Sequence, residues 1–327
     1  MCGKMANLIA AIGIYGDIHL SSKNYGAHKD YPKESLQYFS EITRVTRENN
    51  LTHLIGLGDF SFGRFLQLEY RLEVEKNLEE QYRLTNGNRF ELKGNHDSAG
   101  YGFTERDYYV EKGLLRPSQN LQIGCLNLSM VDYGEHTKAD VIINDDDTHY
   151  NMILAHDFFK FSTTHLPNYG QAIELDNFTK WFGADYIVLG HVHKIMEFEG
   201  YIAKDSLVHK ATVNYLGCMT RPSYREGLTD EEGHMLIVKV FDDRTVDAST
   251  VVIPLWSIED SFNLQLKEKE KQKKEEKENR VNISDIVKQL DAHDRNVGNP
   301  EDIIAAMTDV KDEYKNKAID LLKQAMA

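Results

Sequence analysis

Five short apolar runs, each ending in a cluster of Asp, His, Asn and Gly, constrain this chain more than any other feature. The runs are Leu8–Tyr15, Leu51–Leu57, Arg89–Leu92, Tyr150–Leu154 and Tyr186–Leu189, drawn largely from Ile, Leu and Val. Apolar stretches of that length, closed by turn-forming residues, predict buried β-strands. The clusters behind them read Gly16-Asp17-Ile18-His19, Gly58-Asp59, Gly94-Asn95-His96-Asp97, His156 and Gly190-His191-Val192-His193. Between the runs, Leu36, Phe39, Ile42 and Val45 recur at three-residue steps, which predicts a helix over Pro32 to Asn50 with one apolar face. A second helix is expected over Phe65 to Leu84, its many Glu, Arg and Lys side chains forming a solvated face.

Leu121–Val131, Ala139–Asn144, Ser206–Leu216, Met235–Phe241 and Thr250–Leu255 are further strand candidates. That is more sheet than a five-stranded core needs, so the expected class is α/β: two stacked mixed sheets flanked by helices, an αββα sandwich. No repeat of solenoid or propeller length is visible. Composition changes at Leu264. Lys267 to Arg280 carries seven basic and five acidic side chains and no apolar residue. Beyond it, apolar residues from Ile283 to Met326 recur at helical spacing, with a break at Asn299-Pro300. The expected organisation is a core over 1–200, closing strands and a reduced capping region over 201–262, a charged linker or helix over 263–280, and a helical appendage over 281–327.

The formal net charge of -14 opposes an overall basic surface of the kind that grips a nucleic-acid backbone, although cations bound at acidic sites neutralise part of it. Cys2, Cys125 and Cys218 stand far apart, giving neither a disulfide framework nor a zinc-knuckle spacing, and a reducing cytoplasmic setting is expected. The run from Met5 to Tyr15 is short, lacks a small-residue cleavage site and leads directly into Asp17 and His19. No segment approaches the roughly 18 apolar residues of a membrane span.

Divalent cations take carboxylate and amide oxygens and neutral imidazole nitrogens, and a pair about 4 Å apart can clamp a phosphate while activating a water. Asp17, His19, Asp59, Asn95, His156, His191 and His193 supply those donors at five strand ends, and a carboxylate at Asp59 could bridge two ions. A lone histidine after a strand is usually structural. The joint order DxH, GD, GNHD, H, GHxH is hard to reach by chance. His28, His53, His136, His149, His165, His209, His234 and His293 match no such position. Asp97 and Asp157 each follow a histidine of the set, and either orients it or fixes a turn or helix cap. Mixed nitrogen and oxygen donors suit manganese first, then iron or zinc, better than calcium.

From Asp17 to His193 this motif order resembles the calcineurin-like metallophosphoesterase superfamily. The resemblance implies that Asp17, His19 and His193 hold one metal, that Asn95, His156 and His191 hold the other, that Asp59 bridges them, and that His96 protonates the leaving oxygen or stabilises its charge. Along its whole length the chain is similar to the SbcD-type DNA repair nucleases and related phage recombination endonuclease subunits. DxH lies within the first twenty residues. Val213-Asn214-Tyr215-Leu216-Gly217-Cys218, then Arg221, Ser223, Arg225 and Glu226 and the strand Met235–Phe241, resemble the segment after GHxH, with Cys218 where a serine is usual.

This narrower resemblance implies a manganese-dependent exonuclease and endonuclease acting on DNA, in the cytoplasm or in a host's cytoplasm if phage-encoded. It also implies homodimerisation and an SMC-like coiled-coil ATPase partner held by the C-terminal helices, which otherwise pack on the core. Two other readings are kept: a small-molecule phosphodiesterase or phosphatase, for example one for cyclic nucleotides, and an inactive scaffold.

Overall fold

The computed structural model describes residues 6–63, 65–98, 102–144, 146, 148–164, 172–222, 232–265, 315, 316, 319 and 320. The chain divides into two units, 1–262 and 263–327. The expected charged linker and C-terminal helices, and Ser223, Arg225 and Glu226, lie almost wholly outside the described residues; of the second unit, 264, 265, 315, 316, 319 and 320 are helical.

The first unit is built on β1 (Leu8–Tyr15), followed by α1 (Tyr31–Glu48), β2 (His53–Gly56), α2 (Leu68–Leu84), β3 (Arg89–Glu91), α3 (Asn95–Ser98) and α4 (Glu105–Glu111). Next come β4 (Leu121–Ile123), β5 (Leu126–Val131), β6 (Tyr150–His156), β7 (Phe159–Lys160), β8 (Ile173–Glu174) and β9 (Tyr186–Gly190). The unit closes with β10 (Ile195–Lys204), β11 (Leu207–Leu216), β12 (Glu232–Phe241), β13 (Val246–Pro254) and α5 (Ile258–Ser261). One sheet has the order β13-β12-β1-β2-β3 and the other β10-β11-β9-β6-β5-β4. Both are mixed, as expected of the α/β sandwich.

Alternation along β1 explains the layering. Ile12 and Ile14 turn inward, where they meet Ile55, Leu57 and Phe90 of their own sheet and Leu128, Met152, Leu154 and Val188 of the other. Ala11 and Tyr15 turn outward, onto Tyr38, Phe39, Ile42 and Val45 of α1 and Val74 and Leu78 of α2. Full burial of each large side chain there stabilises the fold by about 1.5–3 kcal/mol. Helix α1 begins at Asp30, whose carboxylate accepts from Lys33 N at 3.2 Å, and Pro32 suits the first turn, which has no hydrogen-bonded N–H. The far face of the second sheet is covered by a 3-10 turn at Thr179–Trp181 and by Phe159 and Phe178 packed around Trp181.

Three local expectations change. Residues 139–144 form no strand, because side chains take their donors: Ile142 N donates to Ser129 Oγ at 2.8 Å and Asn144 N to Asn151 Oδ1 at 3.0 Å. Leu121–Val131 is two strands, split where Gly124 adopts a φ of 57°. Ile195–Lys204 is an edge strand, unseen in the sequence because Glu197, Glu199 and Gly200 interrupt its apolar pattern.

Strands β1, β2 and β3 run parallel, as do β5, β6, β9 and β11. Their carboxyl ends therefore gather along one edge, the usual place for a site in such sheets. A parallel bridge between Asp17 and Cys218 joins the end of β1 to the end of β11 across the two sheets.

Candidate metal centre

All seven donor residues, together with His96, come from strand ends at that edge. Three of them sit in the left-handed backbone region: His19 at φ 48°, Asp59 at 51° and His191 at 75°. That conformation costs a residue other than glycine about 1–3 kcal/mol and persists only where the surroundings enforce it. Here the enforcement is backbone pairing: His19 N donates to Asp59 O at 2.9 Å and Leu20 N to Phe60 O at 3.0 Å, which locks the loops after β1 and β2 together.

The side chains form two groups sharing one carboxylate. In the first, His19 Nε2 and His193 Nε2 are 3.0 Å apart, His193 Nε2 is 3.4 Å from Asp17 Oδ2, and His19 Nε2 is 3.7 Å from Asp59 Oδ2. In the second, Asn95 Oδ1 lies 3.0 Å from His156 Nε2 and 2.9 Å from His191 Nδ1, while Asp59 Oδ2 is 3.5 Å from His156 Nε2. Asp59 thus lies between the groups.

Two observations show that these residues suit divalent cations. First, His156 Nδ1 donates to the Leu57 carbonyl at 2.7 Å, so in the neutral ring, the form that ligates a metal, the lone pair is on Nε2 and faces Asn95 and Asp59. Second, burial lowers His19 to about 4 despite the opposing charge of Asp59, keeping its imidazole neutral, the form that ligates a metal. His191 is lowered by burial and by His156. His156 itself is pushed up to about 9: burial opposes its charge, but the Asp59 and Asp17 carboxylates prevail. Asp59, although buried, is held well below the usual carboxylate range by His156 and His19. Positive charge is what this cluster attracts.

Of the two roles open to Asp97 and Asp157, orienting a histidine of the set or fixing a turn, Asp97 takes the turn. Asp97 accepts from Phe60 N at 3.2 Å and Gly94 N at 3.1 Å, tying the Asp59 loop to the Asn95 loop, and burial with the nearby Asp59 charge raises it to about 7. Asp157 accepts from His136 Nδ1 at 2.9 Å and Gly134 N at 3.4 Å. Gly94 is needed for space and has no positive φ: a Cβ there would lie 2.1 Å from Asp59 Oδ1.

His96 N donates to Asp59 Oδ1 at 2.9 Å, and its ring stacks on Phe62 with centroids 4.9 Å apart and planes at 29°. Phe62 also meets the edge of His19. Tyr133, in the loop after β5, lies 6.0 Å from the His191 ring. Sequence reasoning missed both aromatics, since neither adjoins a ligand motif; the Phe62 signal was its place three residues after Asp59. Cys218 joins His19 and His193 in a second cluster of potential donors. Burial pushes its thiol up to about 12.

Residues 10–195 match the calcineurin-like phosphoesterase family. The chain belongs to that family. It is therefore a metallophosphoesterase, a metal-binding hydrolase, and the matched span runs from β1 into β10. Among solved structures, this metallophosphoesterase is similar to a dimetal phosphatase from Danio rerio: TM-score 0.40, 10% identity, covering 75% of this chain and 99% of that one. No curated protein matches it. No helix among the described residues is long and apolar enough to cross a membrane.

Proposed function

We propose that the protein is a metal-dependent DNA nuclease, with Asp17, His19 and His193 holding one divalent cation, Asn95, His156 and His191 holding the other, and Asp59 bridging the two. The observation that carries the hydrolytic reading is the placement of Asp59 Oδ2, 3.7 Å from His19 Nε2 and 3.5 Å from His156 Nε2. Bound there, the cations supply charge that polarises the phosphoryl group and acidifies water. The chain's own residues do the rest. Asp59 Oδ1 and the Phe62 ring fix His96 beside the site as the proton donor to the leaving oxygen.

DNA as substrate is supported by the sequence after the last ligands, where β11, the Gly217-Cys218 turn and β12 follow in the order on which the SbcD resemblance rests. In this reading manganese is the preferred metal, ahead of iron or zinc. An SMC-like ATPase engages segment 281–327, the protein forms a homodimer, and it works in the cytoplasm or a phage host's cytoplasm. A second reading, hydrolysis of small phosphoesters such as cyclic nucleotides, is favoured by the net charge of -14, which repels a polyanion.

The deciding experiment compares linear duplex DNA, single-stranded DNA, a cyclic nucleotide and a generic phosphodiester, each with and without manganese. Metal-dependent DNA cleavage that disappears in His96→Ala supports the nuclease. Turnover of the small esters alone overturns it in favour of the second reading.

A further inference from the structure

Cys218 brings a sulfur into the first group of donors. Its Sγ, a ring nitrogen of His19 and a ring nitrogen of His193 all lie within 4.8 Å of one another, and the same histidines form an equally close set with Asp17 and Asp59. Donors around one ion with a metal–sulfur distance of about 2.3 Å and metal–nitrogen distances of about 2.0–2.1 Å lie within about 4 Å of each other, so a set within 4.8 Å needs to close by less than about 1 Å to hold one ion. The backbone holds the sulfur in place. Asp17 and Cys218 form a β-bridge, Met219 N donates to Asp17 O at 2.8 Å, and Gly217 makes the turn at φ 72°. A Cβ on Gly16 would lie 2.0 Å from Gly217 O, so the two strand ends are in direct contact.

The surroundings of the sulfur are polar. The thiol donates to Asp17 O at 3.1 Å, Thr220 Oγ1 is 3.5 Å away, and Cys218 is only 8% exposed. Beside it, His19 is fully buried and its Nδ1 has no hydrogen-bond partner among the described residues.

Resting on the two-cation reading above, we propose that Cys218 is a sulfur ligand of the subsite formed by Asp17, His19 and His193, and that it biases this subsite toward zinc, iron or cobalt over manganese. On binding, the S–H bond breaks, its electron pair becomes the sulfur–metal bond and the proton passes to solvent. A thiolate among imidazoles favours the softer, thiophilic ions, whereas the amide oxygen and two imidazoles of the Asn95 group retain affinity for manganese. The centre is then asymmetric, one ion on each side of Asp59 and of different kinds.

The test is a cobalt titration of metal-free full-length protein, followed by absorption. Visible ligand-field bands report cobalt binding, and a thiolate-to-cobalt charge-transfer band in the near ultraviolet reports sulfur ligation. The expected result is a charge-transfer band that saturates after one equivalent, persists in Cys2→Ser and Cys125→Ser, and vanishes in Cys218→Ser while the visible bands remain. Competition between zinc and manganese should show a zinc preference in wild type that falls at least about tenfold in Cys218→Ser, the scale on which a lost ligand-shell contact acts. Visible bands without the ultraviolet band in wild type overturn the sulfur ligand and leave the metal centre standing. Absence of both overturns the metal centre and the ligand with it. If Cys218→Ser does not fold, a band that persists in both Cys2→Ser and Cys125→Ser still assigns the sulfur to Cys218, and a band lost in either of them overturns it.

Discussion

The Nε2 atoms of His19 and His193 lie 3.0 Å apart although 174 residues separate them in the chain. Two neutral imidazoles gain little at that distance unless one nitrogen carries a proton or both face a cation, and Asp17 and Asp59 beside them favour a cation. Strand ends hold both rings there.

Removing one of the pair should release metal. His19→Ala is expected to lower affinity for one of two bound divalent ions by at least about tenfold. The stabilisation that saturating metal confers on wild type, about 2.7 kcal/mol at 100 times the dissociation constant, should shrink accordingly. Metal analysis after gel filtration and thermal melts with and without manganese provide the measurement; unchanged stoichiometry and an unchanged metal-induced shift would remove His19 from the ligands.

In the proposed mechanism His96 acts beside the metals and is not one of their donors. His96→Ala should retain both ions yet lower phosphodiester turnover by about 10²–10⁴, the range of a lost general acid. Initial rates paired with metal content separate the possibilities, since loss of metal in this variant would move His96 into the ligand set.

Gly94 leaves no room for a methyl group, because a Cβ there would lie 2.1 Å from Asp59 Oδ1 and 2.3 Å from Asp59 N. Gly94→Ala is expected to destabilise the fold by about 1–3 kcal/mol, the usual cost of overpacking, and to weaken metal binding by displacing Asp59. Chemical denaturation and a manganese titration would show it; a variant with wild-type values in both would mean that the Asp59 loop yields freely.

His53, at the start of β2, has its pKa lowered from the ordinary 6.5, mainly by burial and secondarily by Arg116. The folded state resists protonation there. As pH falls below 6.5 the unfolded chain takes up the proton first, so the stability present above 6.5 declines until the folded pKa is reached. His53→Gln should therefore flatten the acid side of the stability profile between that pKa and 6.5, read from denaturation midpoints at several pH values. Parallel profiles for both proteins would show that His53 does not contribute.

What the sequence determined by itself was local and periodic. Leu8–Tyr15 is a strand with the bounds its apolar run implies, α1 lies within two residues of the helix read from Leu36, Phe39, Ile42 and Val45, and each donor residue stands at or just after the end of its strand, where a turn must come. Tertiary structure alone decided which donors meet. Asp59 stands between His19 and His156, Cys218 comes beside His193, and Phe62 stacks on His96 only after sheet order and register have been set. Residues 139–144 and β10 show the same division, one losing its strand to side-chain acceptors and the other gaining it from the pairing of β10 with β11. Hydrophobic periodicity records which face of an element is buried; distances between atoms remote in the chain depend on how the faces pack, and no local pattern encodes them.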